Sequence, residues 1–434
     1  MTTTALELAA RLRRREVSAV ELARACLDAI AARDGELGAF VEVARRRTML
    51  QARRADAALA RGDRAPFLGV PTAIKDHEPV RGMGTRVGSR ALRWLVSPVD
   101  GHVARVCRRA GFVIVGKTAC SELTILPFVD VALHPPTRNP HDLARYAGGS
   151  SGGAAAAVAG GLLAIAPGSD GGGSIRIPAA LCGLVGFKPS RGAMPNPYGK
   201  LDAVGISTLG PLAHTVRDAA ALTDVIAGRG DSYARACDEP VPPLRIVVML
   251  RSPLAGLDVA DAHATAAHEV GRALAKLGHH VTDTEPFVGE LDEFLPIMAR
   301  MVANVPMLPM MVRALQPSTR WMRERGRGVT RADAIATGER ITRRLDAWLG
   351  DADVIVTPTV AQPAPRVGAF AHLDGEGVFR TAATMGAFTA PFNVSGQPAI
   401  TLPWRSNDLP IGIQLVGRRG ADRQLLALAM TIIE

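Results

Sequence analysis

Residues 148–178 read GGSSGGAAAAVAGGLLAIAPGSDGGGSIRIP, and the reading of the chain works outward from them. Two glycine clusters, one holding Ser150 and the other Ser174, are joined by small apolar residues from Ala154 to Ala166. That run predicts a tightly packed helix followed by a short buried strand, which puts each serine on a glycine-loosened turn at the end of a rigid element. A flexible Gly/Ser linker is the plain alternative for GGSSGG alone. The segment IRIPAALCG, which follows the second cluster at once, argues against it.

Gly171, Gly172 and Gly173 lack a Cβ, so their backbone N–H groups can approach a ligand atom closely. Such donors, converging beside the Ser174 hydroxyl, are what an oxyanion hole requires. A serine nucleophile also needs a base. None of the ten histidines falls between the two serines, and none sits in a triad motif. Upstream, FLGVPTAIKD ends an apolar run, Phe67 to Ile74, on Lys75. The run reads as a buried strand, and a lysine desolvated at its end has its pKa pushed toward the neutral amine. Lys75, Lys117, Lys188, Lys200 and Lys276 are the only lysines among 51 basic residues. A chain that otherwise uses arginine keeps here the one cation able to shed its proton. Snorkelling to water, or pairing with Asp76, is the plainer fate for such a lysine.

These residues resemble the amidase signature family. Further segments carry the likeness: GVPTAIKD at 69–76, AGFVIVGKT at 110–118, PTRNPHD at 136–142, GSDGGGSIRIPAALCGLVGFKPS at 168–190, STLGPLAHTVRDAA at 207–220, DVIVTPT at 353–359, FTAPFNVSGQPAITLPW at 388–404 and LPIGIQLVG at 409–417. Residues 230–350 are left largely uncovered. The resemblance implies a Ser-Ser-Lys amidase with Ser174 as nucleophile, Ser150 as bridging serine and Lys75 as base. It also implies an oxyanion hole from the N–H groups of Gly171, Gly172, Gly173 and Ser174, and a cis peptide bond at Gly149–Ser150. Asp170 and Arg176 resemble the family's supporting ion pair, and Ser151 is expected to cap the alanine helix. Two positions depart from the pattern: Gly171, where the family more often has a larger residue, and His77, which is expected to be a core or surface histidine.

The implied fold class is α/β, one large domain with a mixed central β-sheet covered by helices on both faces, spanning 1–434. Within it, 1–60 reads as a helical layer, 61–230 as catalytic core, 231–350 as a variable region with a substrate pocket, and 351–434 as strands completing the sheet. Ser18 and Glu21 form a capping-box pattern opening a helix. Residues 67–75 and 112–116 read as strands, 207–228 as a helix, RIVVML from Arg245 as a strand, and Ala260–Leu277 and Thr330–Leu349 as helices. Further strands are expected at 353–358, 399–403 and 411–417. Met298, Met301, Met307, Met310, Met311 and Met322 form a methionine-rich stretch suited either to walling an acyl pocket or to a core helix pair.

With 47% hydrophobic and 21% charged residues the composition fits a soluble globular protein. Five cysteines without CxxC spacing indicate neither a disulfide framework nor a zinc site, so no metal and no cofactor is expected, and the cytoplasm is the expected location. The first apolar stretch is broken by Glu7 and followed by arginines, unlike a signal peptide. No run of about 18 apolar residues predicts a membrane span. The formal net charge of +10 comes from scattered arginines, which read as a solvated surface and not as a nucleic-acid patch. Gly111–Thr118 spells the phosphate-loop pattern, yet Phe-Val-Ile-Val is strand-like where such a loop needs a turn. The expected function is hydrolysis of a small-molecule carboxamide, with a homodimer allowed for. A glutamine-hydrolysing subunit of a tRNA-dependent amidotransferase is the main alternative, and a nucleotide-binding protein using Gly111–Thr118 the remote one.

Overall fold

Alternating apolar residues in the second half of the chain bury both faces of one sheet. In β-strands successive side chains point to opposite faces, and Val354, Val356, Ile413 and Leu415 enter one hydrophobic core while Ile355 and Val416 enter another. The computed structural model describes residues 3–228, 230–404 and 408–433. Strands β1 (Phe40–Val43), β2 (Pro71–Lys75) and β3 (Val113–Thr118) form a small sheet in the order β1-β3-β2. A short hairpin follows, β4 (Arg138–Asn139) with β5 (Asp142–Tyr146). The large sheet contains β6 (Ile165–Asp170), β7 (Val185–Lys188), β8 (Thr208–Ala213), β9 (Arg245–Val248), β10 (His280–Asp283), β11 (Val354–Pro358), β12 (Ala399–Trp404) and β13 (Ile411–Gly417). Their order is β10-β9-β11-β13-β12-β7-β8-β6. The sheet is mixed: β9 runs parallel to β10 and β11, and the other pairs are antiparallel.

One core packs under the N-terminal helices and helices Val216–Ala227, Asp261–Lys276 and Asp422–Ile433. The other packs under helices Leu291–Ala303, Pro317–Arg327, Arg331–Leu349 and Gly375–Ala383. The sheet is therefore flanked by helices on both faces, as the resemblance implies. The C-terminal strands lie at its centre, between β9 and β7.

Several local expectations change. Residues 1–60 are not wholly helical, because Phe40–Val43, rich in valine and phenylalanine, pairs antiparallel with β3. Residues 207–228 are not one helix: TLGPLA forms β8, and the helix starts only after Thr215 accepts from the Asp218 N–H. Pro211 explains the break, since a proline inside a helix removes a backbone hydrogen bond and clashes with the preceding turn. The Ser18 capping box forms as expected, and Thr330 forms a second one with Asp333. Among the described residues no helix is long and apolar enough to cross a membrane.

Gly111–Thr118 is no phosphate loop. Residues 113–118 are the buried strand β3, and the Lys117 ammonium donates to the Gly84 carbonyl at 2.8 Å and lies 3.6 Å from Asp76 Oδ1. The amine is already bound within the protein, and the strand leaves no cradle of N–H groups for a phosphate.

Candidate active site

The segment 148–178 folds into a glycine turn, helix Gly152–Ala159, strand β6, a second glycine turn and helix Arg176–Leu181. The first helix is built of small residues and is wholly buried at residues 152–158. Gly153 lies against the backbone of Ala119 and Ala39, where any Cβ would collide. The peptide bond Gly149–Ser150 is cis. The Ser151 N–H donates to the Ser174 carbonyl at 3.2 Å and so joins the two turns directly.

Lys75 enters from the end of β2, all five of whose residues are buried. Its Nζ donates to Ser150 Oγ at 2.8 Å, Ser151 Oγ at 2.9 Å and Ser169 Oγ at 2.9 Å. Among the described residues it forms no salt bridge, because Asp76 instead faces Lys117 and accepts from the Gly88 and Arg86 N–H groups. Burial pushes the Lys75 pKa down to about 8, although nearby Cys120 and Asp170 act the other way. A hydroxyl can both donate and accept, so a cage of hydroxyls accommodates the neutral amine as well as the cation. A carboxylate in the same place would hold the proton on.

Ser151 corrects its expectation. It stands at the N-cap position of helix Gly152–Ala159 but makes no side-chain cap bond. Its Oγ instead accepts from Lys75 and donates to the Ser169 carbonyl at 3.2 Å. Nothing in the sequence singles out Ser169; its role depends on β6 lying beside β2, where Thr72 Oγ1 donates to the Ile165 carbonyl at 3.0 Å.

Ser174 is partly exposed and shares a cleft with Ser150, Ser169, Gly171 and Gly172. Its side chain makes no hydrogen bond among the described residues, so the Lys75–Ser150 contact is formed while Ser174 Oγ faces open space. The N–H groups of the turn are not equivalent. Gly173 donates to Asp170 Oδ1 at 2.7 Å, and Ile175 and Arg176 donate to Oδ2. Gly173 is therefore already engaged, whereas the N–H groups of Gly171, Gly172 and Ser174 have no hydrogen-bond partner among the described residues. Gly173 has φ +123°, and a Cβ there would strike Thr389 Oγ1, so only glycine fits.

Asp170 and Arg176 form an ion pair with neither side chain exposed, Nη2 to Oδ1 at 3.0 Å and Nε to Oδ2 at 3.0 Å. Burial acts to raise the Asp170 pKa, but the Arg176 guanidinium outweighs it and holds the carboxyl well below the usual carboxylate range. Arg176 Nη1 also donates to Gln414 Oε1 at 2.7 Å and the Thr389 carbonyl at 3.1 Å, and Nη2 donates to Asn393 Oδ1. Asn393, Gln414 and Thr389 lie in segments that carry the resemblance, FTAPFNVSGQPAITLPW and LPIGIQLVG, but the sequence reading expects no residue of either at the site.

His77, the other departure, is a buried-ring histidine tilted against Tyr198, with centroids 5.8 Å apart. Burial, with Lys75 and Lys117 nearby, lowers its pKa well below the usual value. Tyr198 does line the cleft, and its hydroxyl lies 2.5 Å from Thr124 Oγ1.

The cleft takes in about 1040 Å³, its open mouth included. Ile125, Leu126, Phe287, Leu291, Phe294, Met298, Met301, Ile341 and Phe379 give it apolar walls, with Glu290 and Glu293 its charged lining groups. Of the methionine stretch, Met298 and Met301 wall the cleft, Met322 is fully buried in the core and Met310 is 73% exposed. Among the described residues no group of three or more His, Cys, Asp or Glu is arranged to hold a metal ion.

The family model described as Amidase matches residues 21–426. A putative amidase of Synechocystis sp. is 35% identical over 98% of this chain and 87% of its own length. A solved structure of 6-aminohexanoate cyclic dimer hydrolase superposes with a TM-score of 0.89 at 30% identity, covering 99% of this chain and 96% of that one. The glutamyl-tRNA(Gln) amidotransferase of Acidothermus cellulolyticus contributes a shorter match, one of its subunits being 44% identical over 55% of this chain and 48% of its own length. Together with the mixed sheet and the glycine-serine turns, these matches show that the chain belongs to the amidase signature family of hydrolases acting on amide C–N bonds.

Proposed function

We propose that the chain hydrolyses the C–N bond of a small carboxamide through an acyl-enzyme on Ser174, with Lys75 and Ser150 relaying the proton. The observation that carries this reading is the Lys75 amine, buried among hydroxyls with its pKa near 8. Ser151 spends its proton on the Ser169 carbonyl and can only accept from Lys75. The lone pair of the neutral amine is then left for the proton of Ser150, which takes that of Ser174 in turn. Ser174 Oγ attacks the amide carbonyl, and the free N–H groups of Gly171, Gly172 and Ser174 receive the oxyanion. The proton returns through Ser150 to the leaving nitrogen, which departs as ammonia or an amine. Water then attacks the ester, and the same relay in reverse releases the carboxylate and restores Ser174. No metal or cofactor enters this sequence of steps.

The apolar walls favour an amide whose acyl chain is hydrocarbon-rich. A cytoplasmic location belongs to this reading, supported by five buried cysteines without CxxC spacing. Ser174→Ala is expected to abolish turnover and to leave no acyl adduct by mass spectrometry; retained turnover or an adduct elsewhere overturns the assignment. The alternative of an amidotransferase component draws on the match that covers about half of that protein. Hydrolysis of simple amides by the purified chain alone excludes a requirement for partner chains.

A further inference from the structure

Away from the cleft, two segments present large apolar side chains to solvent. Residues 81–99, RGMGTRVGSRALRWLVSPV, and 305–323, VPMLPMMVRALQPSTRWMR, hold several arginines and no aspartate or glutamate. Trp94 is 82% exposed, and Leu95, Val96, Val99, Leu308 and Met310 are exposed as well. The two segments meet, because helix Pro309–Arg313 packs against the turn Arg90–Leu92, and neither element has a buried residue. Single exposed apolar residues are ordinary, but such a group on two touching segments marks an interaction face.

The first segment is fixed by its backbone. The Gly82 and Thr85 N–H groups donate to the Ser97 and Leu95 carbonyls at 2.7 and 2.9 Å, and the Ser97 N–H returns to the Met83 carbonyl at 3.0 Å. Met83, Ser89 and Ser97 are buried, so the segment is anchored while Trp94, Leu95 and Val96 stand outward. The Arg93 guanidinium lies over the Trp94 ring, 5.1 Å from its centroid. Arg81, Arg90, Arg93 and Arg313 are exposed and enter no salt bridge among the described residues. Asp100, the next acid in sequence, is taken by Arg108 at 2.9 Å. The face is thus apolar at its centre and carries uncompensated positive charge around it.

We infer that this face docks on the surface of an anionic lipid bilayer, its apolar side chains entering the interfacial layer and its arginines meeting lipid phosphates. Charge decides the occupant. A second copy of the chain, related by a two-fold axis, would set these arginines against the same arginines. An anionic leaflet instead offers them counter-charge beside an apolar layer. Tryptophan and arginine around apolar residues are also the composition that rests at the lipid–water boundary. The contact lies on the membrane and does not cross it, in keeping with the helices of the described residues, none of which is long and apolar enough to span. None of the proposed reaction steps enters this inference.

The test is cosedimentation of the full chain with vesicles of phosphatidylcholine, alone or mixed with phosphatidylglycerol. Binding to the mixed vesicles, weakened by added salt, is expected, with little on the neutral ones. Arg93→Gln combined with Arg313→Gln should weaken that binding by about tenfold, and so should Trp94→Ser combined with Leu308→Ser. Both double variants should unfold at the wild-type temperature, since all four side chains are exposed. No binding to the mixed vesicles overturns the inference, as does binding that both variants leave unaltered, which puts the contact elsewhere. Loss in the arginine variant alone reduces the contact to bulk charge and overturns it too. Sedimentation velocity without vesicles covers the other occupant: a dimer that Trp94→Ser with Leu308→Ser dissociates assigns the face to a second copy and overturns the lipid reading.

Discussion

At Lys75 the proposed relay makes two demands: the amine loses a proton near neutrality, and its neighbours accept it in either state. Burial meets the first and the serine hydroxyls the second. On the proposed relay, in which the neutral amine is the base, kcat/KM should climb as pH rises through about 8 and decline as pH falls below it. Lys75→Ala should remove most of kcat, and Lys75→Arg should not restore it, since a guanidinium stays protonated; steady-state rates of the two variants check this. Lys75 is legible in sequence because it ends an apolar strand in a chain poor in lysine. The roles of Ser169 and Ser151 are not. Ser169 reaches the amine only because β6 packs beside β2, and Ser151 obeys that tertiary contact over its local capping preference.

At the scale of elements, the turn between β6 and helix Arg176–Leu181 is held by one buried carboxylate. Asp170 accepts from Gly173, Ile175 and Arg176 N–H groups and from the guanidinium, while Asn393 and Gln414 complete the shell around Arg176. Removing one partner of a buried pair leaves the other charge uncompensated, at a cost of about 3–5 kcal/mol. Asp170→Leu should lose stability of that order by denaturant unfolding and lose activity with it; wild-type stability would show that the pair does not hold the turn. In the second half β9, β11, β12 and β13 are legible from runs of branched apolar residues, whereas β10, HVTD at His280–Asp283, is too polar to be read and is found only by its pairing with β9. The 207–228 segment misleads because the apolar residues of TLGPLA suit either element, and only Pro211 and the pairing with β6 and β7 decide it. The methionine stretch is readable as a pocket wall or as a core helix pair, but which methionine does which is not, since that division follows from how helices Leu291–Ala303 and Pro317–Arg327 pack.

For the whole molecule, the cleft lies where the glycine-serine turns meet the helices of residues 291–349, in the region least covered by the motifs. Helices of the uncovered region thus supply part of the wall of the cleft that Ser150 and Ser174 share. Met298→Trp should raise KM for long acyl amides while sparing the shortest, as a substrate series would register; uniform loss across the series would contradict the assignment of that wall. The proposed relay uses no metal, so chelators should leave turnover unaltered. The measurement closest to the central claim is the rate of Ser174 acylation as a function of pH, followed by mass spectrometry in wild type and Lys75→Ala. The wild-type rate should rise to a plateau with its midpoint near 8, and the variant should be slow and lack that limb. Identical profiles in the two proteins would contradict a neutral lysine as the base.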